Sequence, residues 1–354
     1  MLAALRYHGA MQRFGARILG LGGLALLTAV GTPSSSTPSV QRLQGSVGWR
    51  PLVIRAAPPG TLVDARGALL LIANSRNEAP SAAKPCDEGS GTINRYPLRI
   101  EDSHGLRLTG GLFRGQVPQA FDWRATYCNS AALSWRGSPG GQVSGVRIDG
   151  AWDGIRVSRA SAGLHVTGSW FSRIRDDAIE NDFLQPVTIE DTLIDGAFQG
   201  ISLRPAAANQ LPATDESTVT LDGVLLRLSA FRYEGEQRFG ALAKSDERSP
   251  RLRVRHSIIA IEAATTTTFP HSWRLGWSKL VDPADNWLLW LGDGPFPSAL
   301  PQPPAGFRLL SGEQARLFWA KARQGWIDCH PQLARLPNDP PSHPDRCVRH
   351  VSAD

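Results

Sequence analysis

Residues 163–203 read GLHVTGSWFSRIRDDAIENDFLQPVTIEDTLIDGAFQGISL. Within them GLHVTGSWF (163–171) and PVTIEDTLI (186–194) follow one pattern: apolar, polar, apolar, a short polar break, then apolar again. The pattern recurs in GLRLTGGLF (105–113), TVTLDGVLL (218–226) and RLRVRHSII (251–259), and ALSWRG (132–137) and VSGVRIDG (143–150) are read into the same register. Counted from the first apolar position, Leu164 to Val187 is 23 residues, Val187 to Val219 is 32 and Val219 to Leu252 is 33. A unit near 23 residues, with loops inserted on some copies, accounts for these intervals.

A second alignment superposes SGVRIDGAWDGIRV (144–157), SWFSRIRDDAIEN (169–181) and DTLIDGAFQGISL (191–203), so that Ile148, Ile174 and Ile194 coincide, as do Ile155, Ile179 and Ile201. Short segments of period two, joined by Gly and Asp turns, cannot bury an apolar face alone. Stacking one copy on the next can. The pattern resembles the right-handed parallel β-helix of the pectate-lyase-like superfamily, over roughly residues 50 to 290. The resemblance implies an all-β, single-stranded right-handed parallel β-helix, a scaffold that carries many activities.

Around this core, Arg6, Arg13 and Arg17 precede the short apolar run ILGLGGLALLTAVG (18–31), the layout of a secretory signal. The expected organisation is therefore a signal peptide at 1–31, a linker at 32–48, the β-helix at 49–291 and a Pro-rich and helical C-terminal cap at 292–354. In that cap SGEQARLFWAKARQGW (311–326) reads as a helix, with Ser311 as N-cap, Gln314 completing a capping box and Gly325 as its stop. Leu317, Phe318, Trp319 and Ala322 would pack it against the last coil. Trp273, Trp277, Trp287 and Trp290 read as mostly core. Export, to the periplasm or outside the cell, suits the four cysteines; Cys86 with Cys128 and Cys329 with Cys347 is the favoured pairing, each bracketing an irregular segment.

The net charge of +6 is spread as single arginines, which argues against a nucleic-acid partner and leaves an acidic polymer open. No membrane contact beyond the signal segment is expected, and a monomer is.

Stacking turns residues of neighbouring copies into columns about 4.8 Å apart. Trp152, Asp176 and Phe198 form one; Asp153, Asp177 and Gln199 the next; Arg156, Glu180 and Ser202 a third. The third reads as an exposed cross-strand ion pair, making Glu180 structural, and Asn181 reads as a buried amide that needs partners. The first two suggest a sugar site, in which aromatic faces stack on pyranose rings and carboxylates act on the glycosidic bond. Asp153, Asp176 and Asp177 are the catalytic candidates, the alternative being aspartates that cap their own turns.

These acids bear a partial similarity to the polygalacturonase-like glycoside hydrolases, which carry Asn-x-Asp, Asp-Asp, Gly-His-Gly and Arg-x-Lys. Asp176-Asp177 matches the double aspartate and Asp153 lies 24 residues earlier. Ala151 stands where the Asn is expected, Gly-His-Gly is missing, and RVRH (253–256) has no Lys. The expected function is cleavage of a polysaccharide by Asp carboxylates, without a cofactor. A uronate lyase is the alternative, with Arg156, Arg173, Arg175, Arg204 or His165 as base or charge neutraliser and Ca²⁺ among Asp153, Asp176, Asp177 and Asp182. A non-catalytic glycan-binding or envelope structural protein is the third reading. Substrate-binding candidates are Trp152, Phe198, Arg156, Arg175, His165 and Arg204.

Overall fold

The computed structural model describes residues 39–47, 51–72, 96–115, 117, 119–123, 130–205, 217–262 and 269–334. The expected signal peptide, three of the four cysteines (Cys86, Cys128 and Cys347) and residues 206–216 lie outside them, so neither expected disulfide pairing can be placed.

The chain is mostly β: twenty-one strands form one large sheet in which every pairing is parallel. The pairings run in three ladders. In the first, Leu62–Ile72 at its start, then Arg107–Thr109, Gln142–Ser144, Leu164–Thr167, Val187–Glu190, Thr218–Asp222 and Arg251–Arg255 stack in turn. Its register puts Val63, Leu108, Val143, Val166, Ile189, Leu221 and Val254 in one column, each fully buried. The repeat Leu164, Val187, Val219, Leu252 holds residue for residue.

The second ladder carries the column Leu70, Phe113, Ile148, Phe171, Ile194, Leu226, Ile259 and Leu288. The third stacks Leu98–Glu101, Ala131–Arg136, Asp153–Val157, the end of Trp170–Glu180, the end of Leu193–Ser202 and Ala243–Lys244. Inward residues of all three ladders join one hydrophobic cluster, each buried Val, Leu or Ile contributing about 1.5–3 kcal/mol. Buried serines close the corners: Ser103 Oγ accepts from Ala57 N–H, and Ser138 Oγ from Ser103 N–H. The architecture is compatible with the expected parallel β-helix.

Several expectations change. Residues 40–47, read as linker, form the strand Val40–Val47, paired with Leu62–Ile72. ALSWRG falls in the third ladder, not in the first with VSG. Phe171, not Ile174, shares the column of Ile148 and Ile194; Ile174 pairs with Ala197, and after it Trp170–Glu180 carries one extra residue before Asp177. Strand stacking continues past 291: Asn286–Trp290 pairs with Phe307–Ser311 across the Pro-rich segment.

Three helices occur among the described residues: α1 (Pro270–Ser278), α2 (Gly312–Cys329) and α3 (Pro331–Ala334). The sequence reading missed α1, which buries Trp273; Trp290 is also buried, and Trp277 and Trp287 pack half-buried against the cores. The helix α2 follows Ser311, but that side chain makes no capping bond, and the helix runs through Gly325. It is not an end cap. Trp319 and Trp326 pack with Trp170, Leu193, Leu225, Ile258 and Leu289 from five successive strands of the second ladder, so the helix lies along the flank of the stack. Leu317, expected inside, is 64% exposed. At its far end Arg147 Nη1 donates to the Leu333 carbonyl, and the guanidinium sits 3.9 Å from the Trp170 ring centroid. No helix of the described residues is long and apolar enough to cross a membrane.

Candidate active site

The extra residue in Trp170–Glu180 falls at the double aspartate. A bulge breaks the strict in-out alternation of a strand, and here it lets the consecutive residues Asp176 and Asp177 both line one cleft of about 290 Å³. Asp153 lines it from the preceding coil, held close because Gly154 has no side chain: a Cβ there would lie 2.3 Å from the Ala178 carbonyl oxygen. Asp153 Oδ1 accepts the Asp177 N–H at 3.1 Å. One carboxylate oxygen from each of Asp153, Asp176 and Asp177 lies within 4.8 Å of the others. The remaining polar lining is Glu180, Asp182, Gln199, Arg204, Lys244 and Ser272.

All these acids but Asp182 are buried, and burial penalises their charged forms. Asp153 is pushed far above its ordinary range by burial, then by Glu180, Asp176 and Asp177, and its carboxyl hydrogen-bonds to Glu180. Asp177 is pushed up to about 7, burial outweighing the pull of Lys244. Asp176 is raised by burial and restrained by Lys244, Trp123 and Arg175. Glu180 is raised by burial against the pull of Arg156. Burial and mutual repulsion therefore push all four carboxyls toward their protonated forms.

The expected columns largely hold. Asp177 pairs with Gln199, Glu180 with Ser202 and Arg156 with Glu180; Asp176 N–H donates to the Trp152 carbonyl at 2.9 Å. The Arg156–Glu180 pair forms at 3.3 Å, but it is not exposed: the two side chains keep 21% and 10% of their accessibility, and Arg156 Nη1 also donates to the Tyr96 hydroxyl at 2.7 Å. Glu180 therefore belongs to the cleft, where the sequence reading made it structural. Asn181 is fully buried as expected, with its amide exchanging bonds with Gln185 across a turn.

Trp152 and Phe198 line the cleft, yet they are 1% and 2% exposed. A second aromatic layer covers them. Trp123 sits 5.4 Å from Trp152, Tyr233 stacks on Phe198 at 5.7 Å, and Phe269 meets Tyr233 edge-on at 5.6 Å. These three half-buried rings come from loops and from the hairpin Phe231–Tyr233/Glu236–Arg238, so the 230–249 insert forms a wall of the cleft.

Of the other candidates, Arg204 lines the cleft and is exposed. Arg156, Arg175 and His165 do not line it. Arg175 is fully buried, donating from Nη2 to the carbonyls of Phe121 and Arg232, which ties both cleft loops to the sheet. His165 lies on the first ladder, 3.1 Å from Glu190. Lys244 was missed altogether: it sits on a two-residue strand inside a loop insert, where no periodicity marks it. Its Nζ lies 3.1 Å from Asp177 Oδ2. That ammonium occupies the electrostatic place of a bound cation, so although the oxygen donors suit Ca²⁺ by type, the site as a whole does not fit one.

Comparison with family models, curated proteins and solved structures finds no match to this chain.

Proposed function

We propose that the chain is an exported, carbohydrate-active right-handed parallel β-helix of the pectate-lyase-like kind, and that it hydrolyses a polysaccharide in this cleft. The observation that carries the reading is the convergence of three buried carboxyls within 4.8 Å of one another under a wall of Trp123, Tyr233 and Phe269. Such rings suit the C–H faces of a sugar. A close pair of carboxyls, one protonated and one ionised, supplies the acid and the nucleophile of a retaining glycosidase, whose carboxyls stand about 5 Å apart.

In this scheme Asp177, poised near neutrality, gives its proton to the glycosidic oxygen as the C–O bond breaks. Asp176, faced by Lys244, Trp123 and Arg175, acts as the carboxylate that bonds to the anomeric carbon. Water then attacks that carbon, losing its proton to Asp177 and releasing Asp176. Asp153 supports Asp177 from behind through its accepted N–H. Arg204, exposed at the cleft and without a partner among the described residues, favours a chain that bears acidic groups. A lyase draws less support: Lys244 is held protonated by Asp177, Asp176 and Asp182, and so makes a poor base.

The test is release of reducing ends from a panel of acidic and neutral polysaccharides by wild type, Asp176→Asn and Asp177→Asn. Loss of release in both folded variants is expected. Unchanged release in both overturns the catalytic assignment, and retention of glycan without release by any of the three proteins would mean binding alone.

A further inference from the structure

Lys244 reaches the cleft from the second coil after Asp177's. The strand Ala243–Lys244 pairs in register with Ile201 and Ser202, which themselves pair with Ile179 and Glu180. The segment is clamped from outside by α1: Trp273 Nε1 donates to the Gly240 carbonyl at 3.0 Å, and Gly276, lacking a side chain, lies against Ala243. The Lys244 side chain keeps only 20% of its accessibility. Burying an ammonium is costly unless it is paired, and the hydrogen bond it makes is to one oxygen of one carboxyl. Lys244 Nζ donates to Asp177 Oδ2, while Asp177 Oδ1 is buried with no hydrogen-bond partner among the described residues. The lysine thus distinguishes the two oxygens: one is held by a cation, the other is left as the place for a proton.

We propose that Lys244 is a positioning residue for the cleavage reaction: its ammonium fixes the Asp177 carboxyl in the cleft, directs the proton to Oδ1 and sets the pH at which that proton leaves. The proposal rests on the hydrolytic reading of the site. Asp177 is also faced by Asp153, Asp176, Glu180 and Asp182, and the cations Arg156, Arg175 and Arg204 stand around the cluster. Arg156 is engaged by Glu180 and Tyr96 and Arg175 by backbone carbonyls; the cation in hydrogen-bond contact with Asp177 is Lys244. Five acids against these few cations keep the cluster short of positive charge. Removing one cation therefore strengthens the hold of the remaining groups on protons.

The experiment compares wild type, Lys244→Met and Lys244→Arg in two readouts: the pH dependence of kcat/KM on whichever polysaccharide the wild type cleaves, and the titration of Asp177 followed by carboxyl NMR of aspartate-labelled protein without substrate, with Asp177→Asn identifying the signal. In Lys244→Met the Asp177 midpoint and the alkaline limb of the rate profile are expected to move up by about one pH unit or more, a tenfold change in proton concentration. Lys244→Arg should return most of that shift. An unmoved Asp177 midpoint in folded Lys244→Met overturns the proposal. Should Lys244→Met not fold, the double variant with Asp177→Asn decides: its folding supports the pairing, and its failure to fold marks Lys244 as merely structural. Absence of product from every polysaccharide, together with a shifted midpoint, would defeat the hydrolytic reading and leave the hold of Lys244 on Asp177 standing.

Discussion

Replacing Asp177 by Asn should change how the stability of the fold depends on pH, whatever the substrate. The carboxyl is pushed from an ordinary 3.8 up to about 7 in the folded chain, chiefly by burial. Below the unfolded value both states are protonated and the group contributes no pH dependence. Between the two values the unfolded chain gives up its proton while the folded chain keeps it, so stability falls as pH rises. Above the folded value the full difference applies. A gap of about 3 units at about 1.4 kcal/mol each is roughly 4 kcal/mol. Asp153, Asp176 and Glu180 are raised as well, so the wild-type slope has the same sign from several groups, and the quantity that isolates Asp177 is the difference between wild type and variant. Lys244 also faces Asp176 and Asp182, which hold it protonated, so loss of its partner adds an offset that does not vary with pH. Urea unfolding followed by circular dichroism from about pH 4 to 8 should show the wild type losing roughly 4 kcal/mol more than Asp177→Asn across that range. Parallel curves, or a wild type that gains stability relative to the variant as pH rises, would show that burial does not raise the Asp177 carboxyl in the folded chain.

The core and the appended elements make separate predictions. Phe171→Ala empties a fully buried position between Ile148 and Ile194 and should cost about 3–5 kcal/mol in urea unfolding. Arg175→Met removes a buried guanidinium whose Nε and Nη1 have no hydrogen-bond partner among the described residues, so global stability should hold or rise; hydrogen exchange in the 231–238 hairpin should quicken, because the Arg232 carbonyl loses its donor. Trp326→Ala removes the ring that stacks on His330 at 3.9 Å and donates to Asp191. Amide protection of α2 should fall steeply while the strands of the first ladder keep theirs.

How much of this was legible in the sequence depended on whether a residue lay inside the repeat. The column Leu164, Val187, Val219 and Leu252 was readable because strand alternation and coil stacking both act on it, and a slip of one residue would turn every side chain to the other face. The acid columns were readable for the same reason, since Asp177 and Glu180 ride on the ladder that Ile155, Ile179 and Ile201 define. The start of Trp170–Glu180 was not: matching apolar letters put Ile174 beside Ile148 and Ile194, whereas the structure seats Phe171 there, with Arg173 just after it in a left-handed conformation at φ 52°. Lys244, Trp123, Tyr233 and Phe269 lie on inserts, and only folding brings them to the acids. The position of α2 was hidden for another reason. An amphipathic helix declares that it needs an apolar partner, but not which one, and the flank of the second ladder offered Trp170, Leu193, Leu225 and Ile258 as a continuous stripe.

The proposed reaction is the breaking of glycosidic bonds by addition of water at the carboxyls of this cleft. Its most direct test is the chemical form of the ends released when the wild-type protein is incubated with the polysaccharide panel, read by NMR and by ultraviolet absorbance. Saturated reducing ends are expected, first appearing with the anomeric configuration of the cleaved bond and disappearing in Asp176→Asn. Unsaturated uronate ends, or no new ends from any polysaccharide, would contradict the proposed reaction.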